Sequence, residues 1–438
     1  MLSATTTAAA AAAAQKVFAK LTDPGVQKLA QADYAATQSI TRNDLLSIFI
    51  EVENDHVVSA AELSSLQTLV ANATTVGMPG YVADLAGKCV NGDPANVYLK
   101  SAASANGDVY AGCVASQLKV LVNDWFEGGG PIASTNSSVK LSWASGTLFA
   151  KGGVPHDTDI AQGVIGDCTL LASLAEVALR QPQTIENMFI NNGDGSVTVR
   201  LYHNGVPNYV TVDAQLPDGG TLYDRPVNGV LWAALVEKAI VEENAEGWLA
   251  TWYPGSDSYA ALNGGDQGTA DAYLSTLTGL SSSYFGVDPS NIVADWQANK
   301  LVVLSTGTVA AGSGLVADHC YAMVGYNPAS STPISLFNPW GAQAPAPNIS
   351  AATLTSSFQF GAAAGSALPS NSQTTPIANE FSPIAPTPVV ASPGFLAGRS
   401  ALTATAHPSS ASENVPGQTN HDTDAFFADW FSGVGGQV

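Results

Sequence analysis

The sequence predicts an α+β protein, helical in its first third and mixed through its middle. Three observations carry this. Apolar residues fall at helical spacing around Leu45, Leu46, Ile48 and Phe49, and again at Leu118, Val120 and Leu121 before Trp125 and Phe126. A second helical pattern, Leu170, Leu171, Leu174, Val177 and Ala178, follows Cys168 and is closed by Pro182. Two strand-like runs, 319–325 and 334–338, flank the turn-forming stretch Asn327 to Ser331.

Composition divides the chain into three zones. Residues 1–135 carry the helical patterning, and 136–345 hold every chemically suggestive motif. Residues 346–438 are rich in Ala, Pro, Ser and Thr. That last zone has too little apolar surface to offset chain entropy, so a disordered tail is expected, ending in the aromatic cluster Phe426, Phe427, Trp430 and Phe431. The poly-Ala run Ala8 to Ala14 is expected to fray or stay disordered. A net charge of -21 disfavours nucleic acid and anionic membranes as partners. No apolar run approaches the ~20 residues of a membrane span. The Thr/Ala-rich N-terminus lacks a secretory pattern, so the expected site is cytoplasmic or reached by another export route. Four cysteines are too few and too scattered for a disulfide framework or zinc knuckle; Cys89 and Cys113 read as ordinary thiols, with a bridge between them in an oxidising compartment left open. The expected state is a monomer.

Cys168 opens its helix, and Gly163 and Gly166 let the preceding backbone turn tightly. The positive end of a helix favours a thiolate, the reactive form of cysteine. Gln162 lies across the turn, where its amide and the Cys168 backbone N–H can together hold an oxyanion. A lone helical cysteine is ordinarily a small core residue; this setting is what makes Cys168 a candidate nucleophile.

The two strands predict a hairpin centred near 328 and 329, which sets His319 opposite Asn338. Directly opposed residues lie ~4.5–5.5 Å apart, within side-chain reach. An asparagine bonded to one imidazole nitrogen fixes the tautomer and leaves the other nitrogen for a thiol. His319 follows Cys168 by 151 residues, an interval found in Cys-His-Asn peptidases.

Five segments carry a resemblance. Gln162 to Cys168, with Asp159 and Ile160 just upstream, resembles the active-site block of the calpain family. Leu231 to Ala239 resembles its second block, and Tyr259 to Gly265 its glycine pair. Asp318 to Tyr321 resembles the histidine block, and Asn338 to Gly341 the asparagine block. The resemblance implies a papain-like fold, with a helical subdomain carrying Cys168, a β-rich subdomain carrying His319 and Asn338, and the cleft between them. It further implies that Gln162 serves the oxyanion hole, that Gly264 and Gly265 present backbone to substrate, and that Trp340 shields the His319–Asn338 bond. The flanks resemble bacterial calpain-like proteins. Three positions depart from the family pattern: Thr169 replaces an aromatic residue, Asp318 replaces glycine, and Cys320 places a second thiol beside the histidine. Asp318 is expected to narrow the cleft or repel acidic peptides, and Cys320 to be a packed strand residue, with a redox-sensitive thiol as the alternative.

The implied function is a cysteine endopeptidase acting on protein or peptide substrates through a thioester acyl-enzyme. A transglutaminase-like acyl transferase and a non-catalytic peptide-binding module are the alternatives. No cofactor is required. The family's core calcium site draws on a residue corresponding to Asp159 and a glutamate two positions before Trp232, where this chain has Val230. Residues 51–62 partly match an EF-hand loop, with Glu51, Glu53, Asp55 and Glu62 at ligand positions but His56 where a glycine belongs. A solvated acidic turn between two helices is the expectation there, and the metal assignment stays open.

Overall fold

The structure is a computed structural model that describes residues 4–100, 104, 106–130, 132–150, 153–249, 255–263 and 270–365. Six helices open the chain: α1 (Ala4–Phe18), α2 (Pro24–Thr37), α3 (Arg42–Glu53), α4 (Ala60–Ala71), α5 (Gly80–Asn91) and α6 (Ala115–Trp125). Their starts follow from local chemistry. Asp23 accepts the Val26 N–H ahead of α2, with Pro24 in the first turn, and Thr41 and Ser59 form reciprocal capping boxes with Asp44 and Glu62. The Ala8–Ala14 run, expected to fray, lies inside α1, because alanine is the strongest helix former and Ala14, Val17 and Phe18 are buried.

The acidic stretch 51–62 is the end of α3, a turn, and the start of α4. Glu62 is committed to its own helix, its carboxylate accepting the Ser59 N–H at 2.6 Å. That bond points it at a helix N-terminus rather than at a loop centre.

The middle of the chain adds β1 (Leu141–Trp143), α7 (Cys168–Arg180), α8 (Pro182–Glu186), β2 (Phe189–Asn191), β3 (Ser196–His203), β4 (Val206–Asp213) and β5 (Gln215–Pro217). Then come α9 (Trp232–Ala245), α10 (Ala270–Thr278), β6 (Ser282–Gly286), α11 (Pro289–Gln297), β7 (Leu301–Thr306), β8 (Cys320–Tyr326), β9 (Ile334–Phe337), α12 (Ala351–Ser357) and β10 (Phe358–Ala364). Strands β2–β3–β4 form one antiparallel sheet, β1 and β5 pair alone, and a five-stranded antiparallel sheet runs β6–β10–β7–β8–β9.

The position of β10 corrects the expected domain boundary. Residues 346–365 are not tail: β10 lies between β6 and β7. Its composition, Phe358 to Ala364 with one glycine and three alanines, disguises it. The small residues are there because space is short: a Cβ on Gly361 would sit 2.6 Å from the Phe285 ring. The rest of the tail and its aromatic cluster lie outside the described residues.

The sheet separates two cores. Leu301 and Val303 of β7 join the large core with Leu170, Leu171 and Leu174 of α7, while Val302 and Leu304 join a second core with Ile292 of α11 and Leu354 of α12. This is the period-two alternation of a strand buried on both faces. The N-terminal helices share the large core. Buried ion pairs tie them down as well: Lys88 of α5 meets Glu246 at 2.7 Å and donates to the Tyr209 carbonyl at 2.9 Å, and Arg42 meets Asp194 at 2.6 Å. The change in composition near residue 135 therefore does not mark the edge of a separately packed unit. No helix among the described residues is long and apolar enough to cross a membrane.

Candidate active site

Cys168 begins α7, and the loop before it is held from three directions. The Gln162 N–H donates to Pro339 O at 2.8 Å, the Val164 N–H to Leu222 O at 3.0 Å, and the Gly166 N–H to Asn263 Oδ1 at 2.8 Å. Gly163 is required by this packing, since a Cβ there would meet the carbonyl oxygens of Leu222 and Tyr223 at 1.9 and 2.2 Å. The bond to Pro339 sets the loop before Cys168 directly against the residue between Asn338 and Trp340. Behind it, α7 is anchored to the sheet by Glu176, which accepts the Val302 N–H at 2.9 Å.

His319 and Asn338 come together as expected, though not by direct opposition. The strands pair Ala322 with Phe337 and Met323 with Leu336, a register that brings Asn338 level with Tyr321 rather than His319. The turn closes between Asn327 N–H and Pro333 O at 2.7 Å, which centres the hairpin further along than the Asn-Pro dipeptide suggested. The diagonal is still within reach. His319 Nε2 lies 2.9 Å from Asn338 Oδ1. Thr306 fixes the histidine backbone, its hydroxyl accepting the His319 N–H at 3.0 Å. The Trp340 ring lies 4.8 Å from the imidazole, and the Trp340 N–H also donates to Asn338 Oδ1 at 3.0 Å. Burial keeps His319 neutral, lowering it to about 4 against a smaller opposing effect of the Asn338 bond.

The state of the thiol differs from the expectation. Cys168 is not a ready thiolate: its hydrogen bond with Cys320, and then burial, raise it well above the ordinary cysteine value. The helix end is outweighed because the neighbouring sulfur draws the charge. Cys320 is lowered to about 7, first by Cys168 and, against the cost of burial, by the hydroxyls of Ser305 and Thr169 at 3.1 and 3.2 Å. Among the described residues Cys168 and His319 share no hydrogen bond. All four cysteines are free and buried.

Gln162 is buried beside Cys168's loop, with its Nε2 donating to Ile165 O at 2.9 Å. Close by lies a group that sequence inspection missed. The carboxyl of Asp167, next to Cys168, is buried near that of Glu237, which accepts the Asp224 N–H at 3.1 Å, with Tyr259 close by. Burial raises Asp167 and Asp224 each to about 7 and Glu237 well above the carboxylate range. One signal was available: α9 is buried on every face yet carries Glu237, Lys238, Glu242 and Glu243. Charged residues on such a helix must be paired or neutralised.

Gly264 and Gly265 lie outside the described residues; the adjoining Asn263 makes the bond to Gly166 given above. Asp318 is exposed with φ of 48°, a left-handed conformation that explains why glycine suits this position and that aspartate tolerates better than most residues. The calcium pair does not fit a metal. Asp159 Oδ2 already takes the Trp232 indole N–H and the His156 N–H, both at 2.9 Å, and Val230 is buried and offers no side-chain oxygen. Among the described residues no group of three His, Cys, Asp or Glu side chains is arranged to hold a metal ion.

Residues 143–351, just under half the chain, match the family model for calpain family cysteine proteases. The calpain-2 catalytic subunit of Bos taurus is 28% identical over 218 residues, which is 44% of this chain and 29% of that protein. Calpain clp-4 of Caenorhabditis elegans is 29% identical over 213 residues, 42% of this chain and 27% of that one. The calpain-like protease palB of Emericella nidulans is 26% identical over 197 residues, 39% and 22%. The matches thus span under a third of these relatives. The α+β architecture, the loop leading into Cys168 and the matched span agree: residues 143–351 match a cysteine protease domain of the calpain family.

Proposed function

We propose that the protein is a cysteine endopeptidase in which Cys168 is the nucleophile, His319 the general base and Asn338 the group that orients the base. The observation that carries this reading is the 2.9 Å bond from His319 Nε2 to Asn338 Oδ1, made one residue before Cys320, whose sulfur lies 3.2 Å from the hydroxyl of Thr169 beside Cys168. It leaves Nδ1 as the imidazole nitrogen for the nucleophile. Substrate entry would displace the Cys168–Cys320 contact and let His319 take the thiol proton; catalytic hydrogen bonds are often loose before substrate binds. The thiolate then attacks the peptide carbonyl. As the first residue of α7, Cys168 has a backbone N–H with no intrahelical acceptor, available with the Gln162 amide for the oxyanion. His319 returns the proton to the leaving amine, and water releases the acyl group.

The test is casein hydrolysis by the full chain and by Cys168→Ala. The variant should fold normally and lose about a thousandfold or more in turnover. An epoxide thiol inhibitor should add one equivalent at Cys168. Labelling of Cys320 or Cys113 with Cys168 untouched overturns the assignment.

A further inference from the structure

We infer that Cys168 and Cys320 form a disulfide when the protein meets a hydroperoxide, and that this bond reversibly silences the protease. The inference rests on the reading of Cys168 as nucleophile. Two of the three positions that depart from the family pattern, Thr169 and Cys320, are partners in space, with oxygen and sulfur 3.2 Å apart. A threonine in place of a bulky aromatic residue leaves room at the start of α7 and supplies a hydroxyl to the second sulfur. Ser305 on β7 supplies another at 3.1 Å. Thr169 directly follows Cys168 on α7, so this contact sets the Cys320 sulfur against the first turn of the helix that Cys168 opens. The sulfur beside the nucleophile is therefore surrounded by groups that stabilise it as a thiolate, the form that reacts with peroxide.

The chemistry balances with hydrogen peroxide as the oxidant. The Cys320 thiolate attacks one peroxide oxygen, the O–O bond breaks, and Cys320 becomes a sulfenic acid as hydroxide leaves. The Cys168 sulfur attacks the sulfenic sulfur and the S–O bond breaks. The Cys168 proton and one from solvent convert the displaced and earlier hydroxides to water. Two thiols are oxidised to one disulfide while one peroxide is reduced to two waters. A second thiol in contact diverts the sulfenic acid before it reaches the irreversible sulfinic state. Cys89 and Cys113, buried in the N-terminal region, serve as internal controls.

The experiment uses the full chain, fully reduced, exposed to hydrogen peroxide, alkylated and digested without reductant. The expected result is a linked peptide joining Cys168 to Cys320, two hydrogens lighter than its parts, and casein hydrolysis reduced by about tenfold or more and restored by dithiothreitol. Cys320→Ser should hydrolyse casein before oxidation, and after peroxide its loss should resist dithiothreitol. Sulfinic Cys168 with no linked peptide in the wild type overturns the inference. So does full recovery of Cys320→Ser by dithiothreitol. If Cys320→Ser fails to fold, the wild-type peptide decides. A linked peptide in a reduced protein that never cleaved casein supports the pair and sinks the peptidase reading instead.

Discussion

Asn338 Oδ1 lies 2.9 Å from His319 Nε2, while the same side chain's Nδ2 donates to the Pro345 carbonyl at 3.0 Å. The amide is thereby fixed at both ends. Its oxygen also accepts the Trp340 N–H, so it acts toward the imidazole only as an acceptor. Nε2 must then carry the proton, and Nδ1 keeps a lone pair. The tautomer that leaves Nδ1 unprotonated follows from a hydrogen bond to a proline carbonyl seven residues down the chain.

The first prediction separates orienting from catalysing. Asn338→Ala should lower turnover by about tenfold to a hundredfold, and His319→Ala by about a thousandfold or more. Asn338→Asp should retain more activity than Asn338→Ala, because an acceptor remains. Equal, total losses in folded Asn338→Ala and His319→Ala would show that the asparagine does more than orient.

The neutral, buried histidine has a cost in acid. The folded form binds a proton only near pH 4, whereas the unfolded chain binds one near 6.5. The histidine's contribution is fully present above pH 6.5 and is lost as pH falls toward 4, by about 3 kcal/mol from this group. His319→Gln should flatten that acid limb of a urea-unfolding series. An unchanged limb would place the sensitivity elsewhere.

Truncation tests the corrected boundary. A stop after Gly365 should leave a folded protein. A stop after Pro345 should not, because it removes β10 from between β6 and β7 and takes Leu354 and Phe358 from the second core. Circular dichroism and thermal unfolding of the two chains decide it. A cooperative melt of the shorter chain would show that β10 is dispensable.

What the sequence revealed and what it hid follow from the range of the interactions. Cys168 at a helix start, and His319 and Asn338 at the mouth of a hairpin, rest on turn residues and periodicity within a few positions. The register missed by two because Pro333 O, not the Asn327-Pro328 pair, closes the turn. β10 was hidden because its partners lie far upstream and its small residues answer to the Phe285 ring and Leu304, not to any local rule. The cluster of buried carboxyls was hidden for the same reason: Asp167, Asp224 and Glu237 come from three segments.

Removing the second thiol should change the first. The Cys320 hydrogen bond is the largest cause raising Cys168, ahead of burial. Cys320→Ala should therefore shift the pH profile of Cys168 alkylation by iodoacetamide toward lower pH, with faster labelling at pH 7. Mass mapping of the labelled peptide follows it. An unmoved profile would mean that burial alone holds the proton.

The last prediction concerns calcium and Asp159. A carboxylate that completes a calcium site must keep oxygen lone pairs free for a cation that takes six to eight oxygens. Asp159 Oδ2 instead receives two N–H donors, one of them the indole of the fully buried Trp232 at the start of α9. With Val230 where the family places a glutamate, what remains is a structural hydrogen bond between the loop before Gln162 and α9. Casein hydrolysis by the full chain should therefore persist in excess EGTA. Asp159→Ala should lower stability by about 1–3 kcal/mol, because a buried indole N–H loses its acceptor. Asp159→Asn, which retains a carbonyl oxygen, should lose less. The effect should be the same with and without calcium. Activity that vanishes in EGTA and returns with micromolar calcium in the wild type, but not in Asp159→Asn, would show that this carboxylate gives up its N–H partners for a metal.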